Sequence, residues 1–281
     1  MPRTTADMTP ADAAAALAWL VQMGADEAIG EKPVNRLAMA EEPRPHAAPR
    51  AEAPQLRAAR DTVAARPNQP KPSAADTVQD ARAIAAGCTS LEALAEALGR
   101  FDACPLRRTA TNLCFLDGNP RAHVLLIGEA PGNDEDLQGK PFVGRSGQLL
   151  DRMLAAIGLA RHAEDPARSV LITNTIFWRP PGNRKPTEAE TAMCMPFVLR
   201  LVELTRPRLI VCAGATPTQR MMNLTDGILK LRGRWFDVAI GGECIPLLAT
   251  LHPAYLLRQP AQKRLAWRDL LSLRERLDSL V

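Results

Sequence analysis

The chain has 281 residues, 46% of them hydrophobic and 23% charged, with a formal net charge of +4. That length suits one domain of average size with additional segments, and no apolar run reaches the roughly 18 residues a membrane span needs. Asp7 and Asp12 lie close to the apolar stretch AAAALAWLVQM and no small-residue cleavage site follows it, so no secretory signal is read and a cytoplasmic location is expected. Cys88, Cys104, Cys114, Cys194, Cys212 and Cys244 are then expected as thiols or metal ligands rather than disulfides. The mild basic balance permits nucleic-acid binding without demanding it.

The first predicted element is a helix in TPADAAAALAWLVQMG: Thr9 caps it, Pro10 suits its first turn, Asp12 favours the N-terminal dipole and Gly24 ends it. Residues 1–40 therefore read as an N-terminal helical segment. From about Glu41 to Asp76 the composition turns to Pro, Ala and Arg with few large apolar residues, which predicts a disordered linker over 41–76 and a folded domain over 77–281. Helical spacing resumes in TSLEALAEALGRF through Leu91, Leu94, Leu98 and Phe101.

Strands and helices then alternate. HVLLI predicts a strand, and SGQLLDRMLAAIG a helix with Leu149, Leu150, Met153, Leu154 and Ile157 on one face. SVLITN predicts a second strand. Thr187 and Glu190 form a capping-box pattern ahead of a helix to about Leu204. RLIVCAG is a strand, a short helix begins near Pro217, CIPLLATLHP is a strand, and AQKRLAWRDLLSLRERL is a long final helix. This alternation predicts an α/β fold in three layers, a parallel sheet with helices on both faces. Ligands of such folds sit beyond the carboxyl ends of the strands. Those ends carry GEAPG, Asn174, AGAT and His252-Pro253.

The loop after the first strand, GEAPGNDEDLQGKPFVGRSG, has glycines and Pro131 for a tight turn with N–H groups turned to a ligand. It is neither a Walker loop nor a dinucleotide fingerprint, because no Gly-Lys-Ser/Thr follows and the glycine spacing is wrong. Asp134, Glu135 and Asp136, taken singly, read as a solvated loop. Glu129 directly follows a buried strand, where an acid needs partners or a task. Asn174 offers a donor and an acceptor to a planar ring edge, a neutral His252 can donate to an oxygen gaining negative charge, and Phe142 can stack on a flat ligand. RPPGNRKP, from Arg179 to Pro186, and AYLLRQPAQKR, from Ala254, add cations suited to phosphates and an apolar tip suited to the gap left by an extruded base.

GEAPGNDED…GKPFVG, NTIFWRPPGNRKPT and LHPAYLLR, in this order from about Phe101 to Leu277, resemble the motifs of the uracil-DNA glycosylase superfamily, closest to its bacterial family 4. The resemblance implies a four-stranded parallel sheet between helices and a DNA-repair hydrolase, expected as a monomer, that excises uracil from DNA. It implies that Glu129 and Glu135 lie near the reacting sugar and water and that His252 faces a carbonyl oxygen, as the catalytic set. It further implies that Phe142 stacks on uracil and Asn174 reads its polar edge, with Ala130 and Pro131 beside them as candidate uracil contacts; Arg179, Arg184, Lys185, Leu256 and Arg258, from the two basic loops, are the candidate DNA contacts.

Members of family 4 usually hold a 4Fe–4S cluster on four cysteines. Here Phe101 and Trp178 stand at two of the ligand positions, and Cys104 and Cys194 at the others. Two thiolates do not hold a cubane. The expectation is a hydrophobic plug in place of the cluster, with no cofactor required for the chemistry. A rival reading, a binding module for uracil or abasic DNA without turnover, is disfavoured by the set Glu129, Asn174 and His252. Relatives trapped covalently on their product use a histidine in the basic loop, and GNRKPT has none. The Ala-rich N-terminal helix lies outside the resemblance and is a candidate dock for a partner protein.

Overall fold

The computed structural model describes residues 74–280. The helix predicted in residues 9–24 lies outside these residues, as does nearly all of the predicted linker. A helix α1 begins at Ala74, inside the linker's expected C-terminal end, and runs to Ala86. Sequence reasoning predicted no element there. Ser90 caps α2 (Leu91–Arg100), accepting from the Ala93 N–H at 3.2 Å.

Six strands form one sheet: β1 (Leu116–Gly118), β2 (Val124–Gly128), β3 (Val170–Asn174), β4 (Leu209–Ala213), β5 (Trp235–Ile240) and β6 (Glu243–Thr250), in the order β1-β3-β2-β4-β6-β5. The middle four are parallel, as the alternation requires. The expected four-stranded sheet is corrected by two antiparallel edges, β1 on β3 and β5 on β6. β1 is three residues long, too short to show a period. β5 turns into β6 through Gly241 and Gly242, whose φ of 59° and 86° suit a tight reversal.

Side-chain alternation along the strands builds two cores. Leu125, Ile127, Leu171, Ile210 and Leu247 face α1, α2 and α5 (Glu188–Thr205). Val124, Leu126, Val170, Ile172 and Val211 face α4 (Arg145–Ala155) and α9 (Lys263–Asp278). Both faces of the central strands are buried, and this explains why they read as continuous apolar runs. The capping box at Thr187 and Glu190 forms as predicted. Three short helices, α3 (Asn133–Gln138), α6 (Ala215–Met222) and α8 (Pro253–Arg258), follow the ends of β2, β4 and β6, with α7 (Ile228–Leu231) ahead of β5.

Candidate active site

The carboxyl ends of β2, β3 and β6 bring Glu129, Ala130, Pro131, Phe142, Asn174 and His252 to one cleft of about 600 Å³. Asn174 is paired in register with Gly128, the last residue of β2. A Cβ on Gly128 would lie 2.3 Å from Asn174 Oδ1 and 2.4 Å from the Phe142 ring, so glycine is needed for the amide and the ring to meet. Asn174 is 1% exposed, and its Oδ1 is buried with no protein hydrogen bond among the described residues. A buried unpaired acceptor is unfavourable in a fold unless a ligand donor meets it.

His252 stands just past β6 and caps α8. Its Nδ1 accepts from the Ala254 N–H at 3.1 Å, which leaves Nε2 as the protonated nitrogen of the neutral ring. Burial, with the Arg258 charge nearby, pushes its pKa down to about 4. The imidazole stacks near Phe142, ring centroids 5.3 Å apart and planes 27° from parallel. The AGAT turn after β4 supports it from behind, with Gly214 against the imidazole.

The two glutamates differ. Glu135 is buried, and its Oε1 accepts from the N–H groups of Val143 and Gly144, both at 2.9 Å, while Oε2 accepts from Gly132 at 3.1 Å. Asp136 is buried too, accepting from Thr111 and Asn112. The solvated-loop reading is therefore corrected for both: backbone donors far along the chain claim these carboxylates. Asp134 alone of the three is exposed. Glu129 is half-buried at the cleft wall, and among the described residues its carboxylate accepts no hydrogen bond.

Of the residues predicted to meet DNA, Lys185 and Arg258 are exposed at the cleft rim with no ion-pair partner among the described residues. Arg184 is engaged with Glu190 at 2.6 and 2.9 Å, and that hydrogen bonding holds the Glu190 carboxyl down to about 2. Arg179 ties the basic loop to α3 through Asn133 and Asn183. Leu256 is 1% exposed, packed in a cluster with Leu149, Leu251 and Ala266. It is not a surface wedge: the helical turn of α8 rotates it inward and leaves its half-buried neighbours Tyr255 and Leu257 outside. Sequence reasoning missed Tyr255 and Ser146 in the cleft wall. Neither carries a local pattern that would separate it from a loop residue.

Behind the sheet ends, Phe101, Cys104, Trp178, Cys194 and Phe197 are buried together in one apolar cluster. Phe101 and Phe197 pack with ring centroids 5.2 Å apart. The hydrogen bond to Cys104, and burial, push the Cys194 thiol up. Two thiols among aromatic rings do not match the donor set of a 4Fe–4S cluster, and no group of three or more His, Cys, Asp or Glu that could hold a metal occurs among the described residues.

The sheet order sets a cleft at the parallel strand ends, built from an amide, an imidazole, an aromatic ring and a carboxylate, groups that can meet the face and the polar edge of a planar ligand. The family model of the uracil DNA glycosylase superfamily matches residues 115–271. The chain belongs to that superfamily. It is 43% identical over 161 residues to the type-4 uracil-DNA glycosylase of Archaeoglobus fulgidus, covering 56% of this chain and 78% of that one. It is 40% identical over 172 residues to that of Thermotoga maritima (60% and 83%) and 37% over 195 residues to that of Saccharolobus solfataricus (68% and 88%). Within the superfamily it falls in family 4.

Proposed function

We propose that the protein is a uracil-DNA glycosylase that draws uracil out of DNA, hydrolyses its N-glycosidic bond and leaves an abasic site for base excision repair. The observation that carries this is the buried Oδ1 of Asn174, unpaired among the described residues and set beside Phe142 and His252 in the cleft. Uracil presents an N–H donor between two carbonyl oxygens, and an amide meets one donor and one acceptor of that edge.

Extruding the nucleotide costs a few kcal/mol, least for a mispaired base. Phe142 then stacks on uracil and Asn174 reads its edge, with Ala130 and Pro131 framing it. The C1′–N1 bond lengthens toward an oxocarbenium-like sugar. The negative charge moving onto the uracil oxygen is met by the Nε2–H of His252. Glu129, whose carboxylate meets no donor among the described residues, orients the attacking water, whose oxygen bonds C1′. One water proton leaves through the carboxylate, and the uracil anion departs as the leaving group. Glu135 serves this chemistry by fixing the loop that carries Phe142. Lys185 and Arg258 hold phosphates, with Arg179 and Arg184 bracing the loop beside them.

We place this catalytic domain over about residues 77–281 and read it as a monomer acting without a cluster. The aromatic cluster around Cys104 and Cys194 supports that reading. Six unpaired cysteines suit a reducing bacterial cytoplasm. Among the described residues no helix is long and apolar enough to cross a membrane. The N-terminal segment remains the candidate dock for a partner protein. Incubating purified protein with a uracil-containing oligonucleotide and cleaving with alkali tests the function: strand scission at uracil and none at thymine is expected. Tight binding of uracil DNA without scission would favour a binding module instead.

A further inference from the structure

We propose that Arg161, remote from the reacting atoms, is the residue that positions Phe142 for base stacking. The inference rests on reading the cleft as a uracil pocket.

Phe142 has φ of +55°, in the left-handed region that residues with a large side chain rarely adopt. Such a conformation persists only where the surroundings over-determine it. Here they do so from both sides of a single peptide. The Phe142 carbonyl accepts from Arg161 Nη2, and the N–H across the same peptide bond, that of Val143, donates to Glu135 at 2.9 Å. A cation grips the oxygen and an anion grips the hydrogen. Arg161 Nη1 also donates to the Pro141 carbonyl at 2.9 Å, so the bracket spans the residue before as well. The backbone of Gly147 closes on the Phe142 carbonyl so tightly that a Cβ there would lie 1.8 Å from the oxygen.

The guanidinium is itself fixed. Arg161 is 8% exposed, with Nε on Asp151 at 2.6 Å and Nη1 on Asp117 at 3.2 Å. Only a rigid planar fork serves two carboxylates and two carbonyls at once. This assembly walls a second cleft of about 820 Å³, and Phe142 lines both that cleft and the base pocket. An arginine serving only as structural glue between the helix α4 and strand β1 would need the carboxylates alone. The two carbonyl contacts are what tie it to the ring.

The test is a double-variant cycle of Arg161→Met and Phe142→Leu, read by single-turnover uracil release, by inhibition with free uracil, and by affinity for DNA bearing a tetrahydrofuran abasic analogue. Arg161→Met should slow release and weaken uracil inhibition by about tenfold each, with abasic-DNA affinity held within about twofold. The double variant should be no slower than Phe142→Leu alone, because both changes remove one function. Losses that multiply, or equal losses of uracil inhibition and abasic-DNA affinity, would overturn the role of Arg161. Release at the wild-type rate by Phe142→Leu would instead overturn the uracil pocket itself. Should Arg161→Met not fold, Asp151→Asn reads the same coupling, since Asp151 is half-exposed and holds the guanidinium from its outer side.

Discussion

His252 accepts the Ala254 N–H on Nδ1, so its own cap at the start of α8 decides which nitrogen faces the cleft. The ring must stay neutral for this bond to exist, and its pKa near 4 keeps it so. A histidine whose pKa is depressed on folding is neutral above the folded value. The kcat/KM for uracil release should therefore show no loss on lowering the pH through the ordinary histidine range near 6.5, and should fall only as pH approaches 4. A 15N–1H spectrum at neutral pH should show a bare Nδ1 and a protonated Nε2. His252→Ala should slow release by roughly 10²–10³, the scale of one lost transition-state donor. A break in the profile near 6.5 assigned to His252 would contradict the geometry.

Gly128 separates pocket shape from DNA binding. An added methyl would enter the space shared by Asn174 and Phe142. Gly128→Ala should abolish detectable uracil release while abasic-DNA affinity stays within about threefold, because the phosphate contacts that dominate affinity are untouched. Asn174→Ala should reach the same result by removing the reading amide. Gel-shift titration alongside the alkali-cleavage assay decides both.

The two glutamates should fail differently. Glu129→Gln should slow single-turnover release with little change in Tm. Glu135→Gln loses charge against three backbone donors; hydrogen bonds to a charged group contribute about 1.5–3 kcal/mol each, so its Tm should fall by several degrees. An unchanged Tm in Glu135→Gln would return that carboxylate to the chemistry.

DNA affinity should fall with salt, and the slope should separate the cations. Lys185→Ala and Arg258→Ala should each reduce it by about one unit. Arg184→Ala should change it less, because Glu190 already holds that guanidinium. Equal slopes for Arg184→Ala and Arg258→Ala would show that Arg184 leaves Glu190 for phosphate.

Purified without air, the protein should be colourless and lack stoichiometric iron. Changing Cys104 and Cys194 together to Ser should leave uracil release within a few-fold. A brown protein absorbing near 400 nm with about four irons per chain, lost in the double variant, would show that other ligands complete a cluster.

Sequence alone determined the strand–helix alternation, because buried parallel strands are continuous apolar runs and helices repeat every turn. It also located Asn174 and His252, since each directly follows such a run. The short β1, the β5–β6 edge and α1 escaped it, as did the pairing that sets Gly128 against Asn174. The fates of Glu135, Leu256 and Arg161 were tertiary decisions. Glu135 finds donors eight and nine residues on, and Arg161 finds acceptors 10 to 44 residues back. Leu256 turns to a core shared with Leu149 and Ala266. A charge or an apolar side chain states that it needs a partner or a cover. Which atoms supply it depends on chain segments that meet only when the sheet has formed.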